Sequence, residues 1–360
     1  MDEFAAKLLT WFDQHGRHDL PWQQNITPYR VWVSEIMLQQ TQVTTVIDYF
    51  NRFTKRFPTV HNLAEADLDE VLHLWTGLGY YARARNLHKT AQRVVREFNG
   101  EFPDTQEELE SLPGIGRSTA GAIRAIAQQQ VASILDGNVK RVLCRIHAVP
   151  GHPGETKVAK VLWQHADAHT PKSRTNHYTQ AIMDLGATVC VRKRAKCNEC
   201  PVTDLCEAHA EARVDEFPHA KPKKEKPTRH ARFFVATAPD GSTLLEQMPL
   251  EGLWGGLWTP PQRASESTVD DFLNEHGVSP DTVVERYTAP EFRHTFTHFH
   301  LKIEPIYLHL SRKPTSVAQS NRYRWHQHGA ANNADPIGLS VPAVKLLDAV
   351  NHNHFELEAQ

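Results

Sequence analysis

Four cysteines fall in the pattern Cys190-x6-Cys197-x2-Cys200-x5-Cys206, close enough in sequence to converge on one metal site. A long chain that opens without a charged and apolar leader has little use for a disulfide framework, so metal ligation is the better reading. Zinc accepts four thiolates, but its ribbons usually pair two C-x2-C units across a longer gap, and only one such unit is present. The uneven 6-2-5 spacing suits a chain that wraps a cubane iron–sulfur cluster. Inside the first loop lie Arg192, Lys193, Arg194 and Lys196. A charge run is usually a solvated face, yet one held on a metal-anchored loop becomes a fixed phosphate-binding patch.

Upstream stands Leu112-Pro113-Gly114-Ile115-Gly116-Arg117-Ser118-Thr119. Two glycines flanking one apolar residue between helical patterns form either a plain connector or a turn whose N–H groups point outward together, a nest for phosphate. Asp136 follows the apolar pair Ile134-Leu135, where it could cap a helix or stabilise a nearby cation. Glu35 sits among Val31, Val33, Ile36 and Leu38, surroundings in which an unpaired carboxylate is costly unless it does chemistry.

Helical periods position these groups. Phe4, Leu8, Trp11 and Phe12 share a face, as do Leu68, Val71, Leu72 and Trp75, and Ala84 through Phe98 extend one stripe over several turns. Helix starts are marked by Thr27-Pro28, by Asp67 with Glu70 and by Thr105 with Glu108. Residues 1–212 therefore read as a helical domain, with a helix-hairpin-helix near 105–128 and the cysteine loop at 190–206. Residues 213–231, rich in Pro and Lys, read as a linker. Short β-rich runs at 232–238, 243–248, 297–310 and 322–325, with helical patterns near 267–276 and 341–350, predict a small α/β domain over 232–360.

The formal net charge of -2 excludes a globally basic chain, so any nucleic-acid role rests on local patches. The 22 histidines show no zinc spacing, and no apolar run approaches the length of a membrane span. A soluble, intracellular protein is expected.

The hairpin, the trailing Asp136 and the cysteine loop, in that order, resemble the helix-hairpin-helix superfamily of DNA glycosylases typified by endonuclease III. Leu20-Pro21-Trp22, Pro28-Tyr29-Arg30-Val31-Trp32, Ser34 to Val43 and Gly77 to Arg83 narrow the resemblance to the MutY-type adenine DNA glycosylases. The implied fold is an all-helical glycosylase domain with a 4Fe-4S cluster, joined to a Nudix-like α/β domain. The implied reaction is hydrolysis of the glycosidic bond of adenine mispaired with 8-oxoguanine or guanine, after the nucleotide is flipped from double-stranded DNA. Glu35 would protonate the leaving base, Asp136 would stabilise the sugar cation, and Asn138 would orient sugar or water.

Bifunctional members of that superfamily carry a lysine where this chain has Ser118, which implies a monofunctional enzyme using water. Lys140 then reads as a phosphate or helix-surface lysine. By the same resemblance Gln39, Gln40 and Tyr80 wedge into the base stack beside Gln42, and Trp22, Arg30 and Gln180 line the adenine pocket. Pro113, Gly114, Ile115, Gly116, Arg192 and Arg194 would meet the DNA backbone. In the C-terminal domain Ser265 to Glu275 lacks the Arg-Glu-x-x-Glu-Glu spacing of a pyrophosphohydrolase. Phe296, Thr297 and His298 occupy the place of a Phe-Ser-His loop that reads 8-oxoguanine, with threonine as the middle residue. A bacterial cytoplasmic monomer associated with the nucleoid is implied. The competing readings are a thymine or uracil mismatch glycosylase and a non-catalytic iron–sulfur DNA-binding protein.

Overall fold

The helices in chain order are α1 (Glu3–His15), α2 (Pro28–Leu38), α3 (Val43–Arg56), α4 (Val60–Glu65), α5 (Leu68–Leu74), α6 (Ala82–Phe98) and α7 (Gln106–Ser111). They continue as α8 (Arg117–Ala122), α9 (Gly137–Ile146), α10 (Thr156–His169), α11 (Thr175–Asp184), α12 (Glu207–Ala210), α13 (Val269–Glu275) and α14 (Val341–Asn351). This computed structural model describes residues 1–221, 225–314, 322–328 and 336–351. No helix among the described residues is long and apolar enough to cross a membrane.

The chain divides into two compact units, Met1–Glu65 with Asn86–Lys223 and Ala66–Arg85 with Lys224–Gln360. The first is all helical. Its core gathers Phe4, Leu8 and Phe12 of α1 with Val139, Val142 and Leu143 of α9 and with Ala181 and Ile182 of α11. The α1 stripe thus closes over the two helices that frame the chemistry. Thr27 caps α2 by accepting from the Arg30 amide at 3.2 Å, and Thr105 caps α7 by accepting from the Glu108 amide at 3.2 Å. Asp67 occupies the N-cap of α5 without a side-chain bond to it.

Two helices do not stop at their α-helical ends. α8 runs into a π-helical turn at Ile123–Ala127, and α11 into one at Leu185–Val189. The second turn is closed by the Cys190 amide donating to the Leu185 carbonyl at 2.7 Å, so the widened turn delivers the first cysteine of the loop.

Among the described residues of the second unit, eight strands form one sheet: β1 (Thr228–Thr237), β2 (Thr243–Gln247), β3 (Trp258–Thr259), β4 (Gln262–Arg263), β5 (Val283–Thr288), β6 (Phe292–Thr295), β7 (His300–Leu310) and β8 (Tyr323–His326). The main path is β3-β2-β1-β7-β5, with β1 and β7 parallel from Thr228 opposite His300 to Thr237 opposite His309. Phe272 and Leu273 of α13 pack with Phe234, Leu244 and Leu308 of the sheet, whereas Ala343 and Leu347 of α14 pack with Leu245 and Trp258. Helices from two separate cores on one sheet make the expected α/β domain.

Two boundaries differ from the sequence expectation. Residues 66–85, which read as part of the helical domain, cluster with the sheet unit. There the Asp69 carboxylate accepts from Trp258 Nε1 at 3.1 Å, Tyr81 Oη donates to the Leu339 carbonyl at 3.3 Å, and Arg85 donates to the Gly255 carbonyl at 2.8 Å. The expected linker is also shorter than 213–231. Phe217 is buried in the helical core, and β1 already begins at Thr228. Residues 222–224 of that linker lie outside the described residues.

Candidate active site

Glu35 projects from α2 and Asp136 is the N-cap of α9, and both line one cleft of about 800 Å³ in the helical unit. Desolvation pushes the Glu35 carboxyl up to about 8, and the negative charge of Asp136 pushes it in the same direction. Glu35 accepts no hydrogen bond from any described residue that would favour its ionised form. Burial also raises Asp136, but the Val139 and Asn138 amides oppose it, with Val139 N–H donating to Asp136 Oδ1 at 2.7 Å. The helix N-terminus and the amide donors favour the ionised form at Asp136, and Glu35 has no such donors among the described residues. Asp136 thus acts as the N-cap of α9.

Ser118 positions this turn. Its hydroxyl accepts from the Leu135 amide at 3.0 Å, which ties the first turn of α8 to the residue before Asp136. The close approach extends to Gly121, where an added Cβ would lie 2.1 Å from the Ser133 carbonyl oxygen. No lysine lines the cleft among the described residues, and Lys140 lies outside it.

Asn138 is held from behind. Arg141 donates to Asn138 Oδ1 at 2.9 Å, to the Gly186 carbonyl at 2.6 Å and to the Cys190 carbonyl at 2.8 Å. A Cβ on Gly186 would lie 2.6 Å from that of Asn138, so only glycine lets the π-helical turn approach α9 this closely. Sequence reasoning missed Arg141, which reads as an ordinary helix arginine.

Trp22, Gln39, Gln40, Gln42, Gln180 and Arg192 also line the cleft. Gln40 has a left-handed backbone, φ 58°, at the tight turn between α2 and α3. Arg30 is elsewhere: its guanidinium donates to the Pro21 and Gln24 carbonyls at 2.8 and 3.2 Å and lies over the Phe50 ring. It braces the turn that carries Trp22, and it is not among the residues that line the cleft. Ile115 is buried at the hairpin while Gly114 and Gly116 are exposed, and Gly114 has φ 80°. Pro113 is fixed by its carbonyl accepting from Thr90 Oγ1 at 2.8 Å, and Arg194 is exposed with φ 56°.

All four loop cysteines line a second cavity, under Arg145. Arg145 is buried, and every acceptor of its guanidinium is a backbone carbonyl or a thiol: Val214, Phe217, Val191 and Arg192 oxygens and Cys190 Sγ at 3.3 Å. A buried cation without a carboxylate requires an anion, which thiolates supply. Burial pushes Cys200 up to about 12 and raises Cys197 and Cys206, so the ionised set needs a metal's charge. Among the described residues no group of three or more His, Cys, Asp or Glu is placed to hold a metal ion.

In the sheet unit Phe296, Thr297 and His298 form the turn between β6 and β7. Phe296 stacks on Phe299 with centroids 4.7 Å apart, and its amide donates to the Phe299 carbonyl at 2.9 Å, which leaves Thr297 and His298 exposed at the tip. Tyr80, exposed and with φ 49°, places its hydroxyl 3.3 Å from Thr297 Oγ1. Arg263 pairs with Glu246 of β2 at 2.8 Å and with Glu275 of α13 at 2.6 Å.

The family model for HhH-GPD superfamily base excision DNA repair proteins matches residues 33–167, and that for the NUDIX domain matches 232–349. An adenine DNA glycosylase of Buchnera aphidicola subsp. Baizongia pistaciae is 36% identical over 355 residues, covering 98% of this chain and 99% of the relative. The chain belongs to the adenine DNA glycosylase family. A human member is 34% identical, with 89% of this chain and 70% of that protein covered. A thermostable thymine-DNA glycosylase structure superposes with a TM-score of 0.51 at 24% identity over 58% of this chain and 95% of that one, a likeness of fold. Helical glycosylase unit followed by Nudix-like sheet is thus the family's architecture, and the fold class expected from the sequence holds.

Proposed function

We propose that this chain is a monofunctional glycosylase that takes an adenine flipped from double-stranded DNA into the cleft between α2, α9 and α11 and hydrolyses its glycosidic bond. The observation that carries this reading is two carboxyls lining one cleft in unlike surroundings: Glu35 on α2 accepts no hydrogen bond from any described residue, whereas Asp136 at the start of α9 accepts from the Val139 amide at 2.7 Å. Protonated Glu35 donates to N7 of adenine, which makes the base a better leaving group. As the bond breaks, positive charge spreads over C1′ and the ring oxygen, and Asp136 stabilises it. The Asn138 amide, its oxygen fixed by Arg141, presents NH2 toward sugar or water. Water completes the reaction, because no lysine among the described residues lines the cleft to form a Schiff base.

The cysteine cavity is read as the seat of a 4Fe-4S cluster held by Cys190, Cys197, Cys200 and Cys206, which would fix the loop bearing Arg192 and Arg194. The glycine hairpin would hold a backbone phosphate. Gln39, Gln40, Gln42 and Tyr80 supply the groups that replace the extruded nucleotide, and the Thr297 tip beside Tyr80 reads the opposite base as 8-oxoguanine or guanine. Glu35→Gln tests the assignment: in single-turnover assays on adenine opposite 8-oxoguanine it is expected to bind duplex as the parent does and release adenine at least about 10²-fold more slowly. Near-parental excision refutes it.

A further inference from the structure

Asp184, the last residue of α11, is fully buried and receives a dense set of donors. Arg17 gives it three: backbone N–H to Oδ2 at 2.8 Å, Nε to Oδ1 at 3.0 Å and Nη2 to Oδ1 at 2.6 Å. One turn earlier on α11, Gln180 Nε2 donates to the same Oδ1 at 2.9 Å. The Arg17 segment is itself anchored, since Gln23 Nε2 donates to the Arg17 carbonyl at 2.8 Å and the Leu20 amide donates to Gln23 Oε1 at 3.1 Å.

A carboxylate paired with arginine accepts hydrogen bonds and donates none. The Gln180 atom that faces Asp184 must therefore be the NH2 group, and the amide cannot rotate by half a turn without setting two acceptors against each other. Gln180 Oε1 accepts no hydrogen bond from any described residue, and Gln180 lines the cleft with Arg17. The cleft thus presents a fixed, unsatisfied acceptor. We propose that Asp184, braced by Arg17, is a specificity-determining positioning residue: it locks the Gln180 amide so that its oxygen meets a hydrogen-bond donor on the flipped base. The 6-amino group of adenine is such a donor. A 6-oxo purine such as hypoxanthine would present acceptor to acceptor and is rejected, while unsubstituted purine offers neither. This inference rests on the reading that the flipped adenine enters this cleft.

The test measures single-turnover excision of adenine, purine and hypoxanthine, each opposite 8-oxoguanine, by the full-length protein. Asp184→Asn allows either amide orientation at Gln180, and the ratio of adenine to hypoxanthine excision is expected to fall by roughly tenfold or more, with purine affected least. The double variant Arg17→Gln/Asp184→Asn removes both charges together, leaves no buried unpaired cation, and is expected to give the same loss of ratio. Equal slowing of all three bases in both variants overturns the proposal, because a merely structural role moves every substrate alike. Gln180→Met separates the two layers. A collapsed ratio in Gln180→Met with an unchanged ratio in the Asp184 variants refutes the positioning role alone. An unchanged ratio in Gln180→Met refutes the placement of adenine against Gln180.

Discussion

Replacing Glu35 by glutamine should make the protein more stable while removing its activity, and the size of the gain should depend on pH. The Glu35 carboxyl lies at about 8 in the folded chain against an ordinary value of 4.5, a difference of about 3.5 pH units. A folded-state value above the unfolded one means that stability is fully present below about 4.5 and is lost as pH rises toward 8. Each unit corresponds to about 1.4 kcal/mol, so at pH 7 the unfolded chain releases a proton that the folded chain must keep, at a cost of about 3 kcal/mol. Above pH 8 the cost levels near 5 kcal/mol. Glutamine occupies the same volume and never ionises. Urea unfolding of parent and Glu35→Gln at pH 4.5, 7 and 9, followed by tryptophan fluorescence, should give near-equal stabilities at pH 4.5 and a variant more stable by about 2–4 kcal/mol at pH 7. A difference that does not change with pH would refute the desolvation argument.

Single-turnover adenine excision should decline as pH rises through about 8, where Glu35 loses the proton it donates, and a flat profile from pH 6 to 9 would remove it as the acid. On the proposed 4Fe-4S seat, Arg145→Met should lower iron content, visible absorbance and melting temperature relative to the parent, since the buried guanidinium donates to Cys190 Sγ; iron content equal to the parent's would break that link. Tyr80→Phe with Thr297→Ala should narrow the preference for adenine opposite 8-oxoguanine over adenine opposite guanine by roughly tenfold, read from the ratio of the two excision rates. An unchanged ratio takes lesion reading away from that tip.

The chemistry was legible because it resides in short, ordered motifs. Glycine spacing, cysteine spacing and a carboxylate embedded among Val31, Val33 and Ile36 are local facts, and each survives without knowledge of what packs where. The partners that orient those groups are long-range and were invisible. Arg17 and Asp184 are distant in sequence, Arg141 reads as one more charged helix position, and nothing in its neighbourhood announces that Gly186 will press on Asn138. Arg30 belongs to the matching motif, yet its guanidinium donates to the turn at Pro21. Periodicity at Leu68 to Trp75 established a buried stripe without saying which unit would bury it. Phe217 escaped because Pro and Lys around it outweighed a single aromatic residue, whereas the fold gives that residue a carbonyl bond to Arg145 and a place in the core.

The interleaving of residues 66–85 with the sheet unit bears on how the chain could be divided. A cut between residues 221 and 225 would sever the backbone at one crossing but not at the other two, at 65 to 66 and 85 to 86. The N-terminal fragment would still hold α5, whose Asp69 is bonded to Trp258, and the segment in which Tyr81 and Arg85 bond to Leu339 and Gly255. The gene therefore does not encode two exchangeable cassettes end to end. A cloned N-terminal piece would carry residues 66–85 without the sheet residues they bond to.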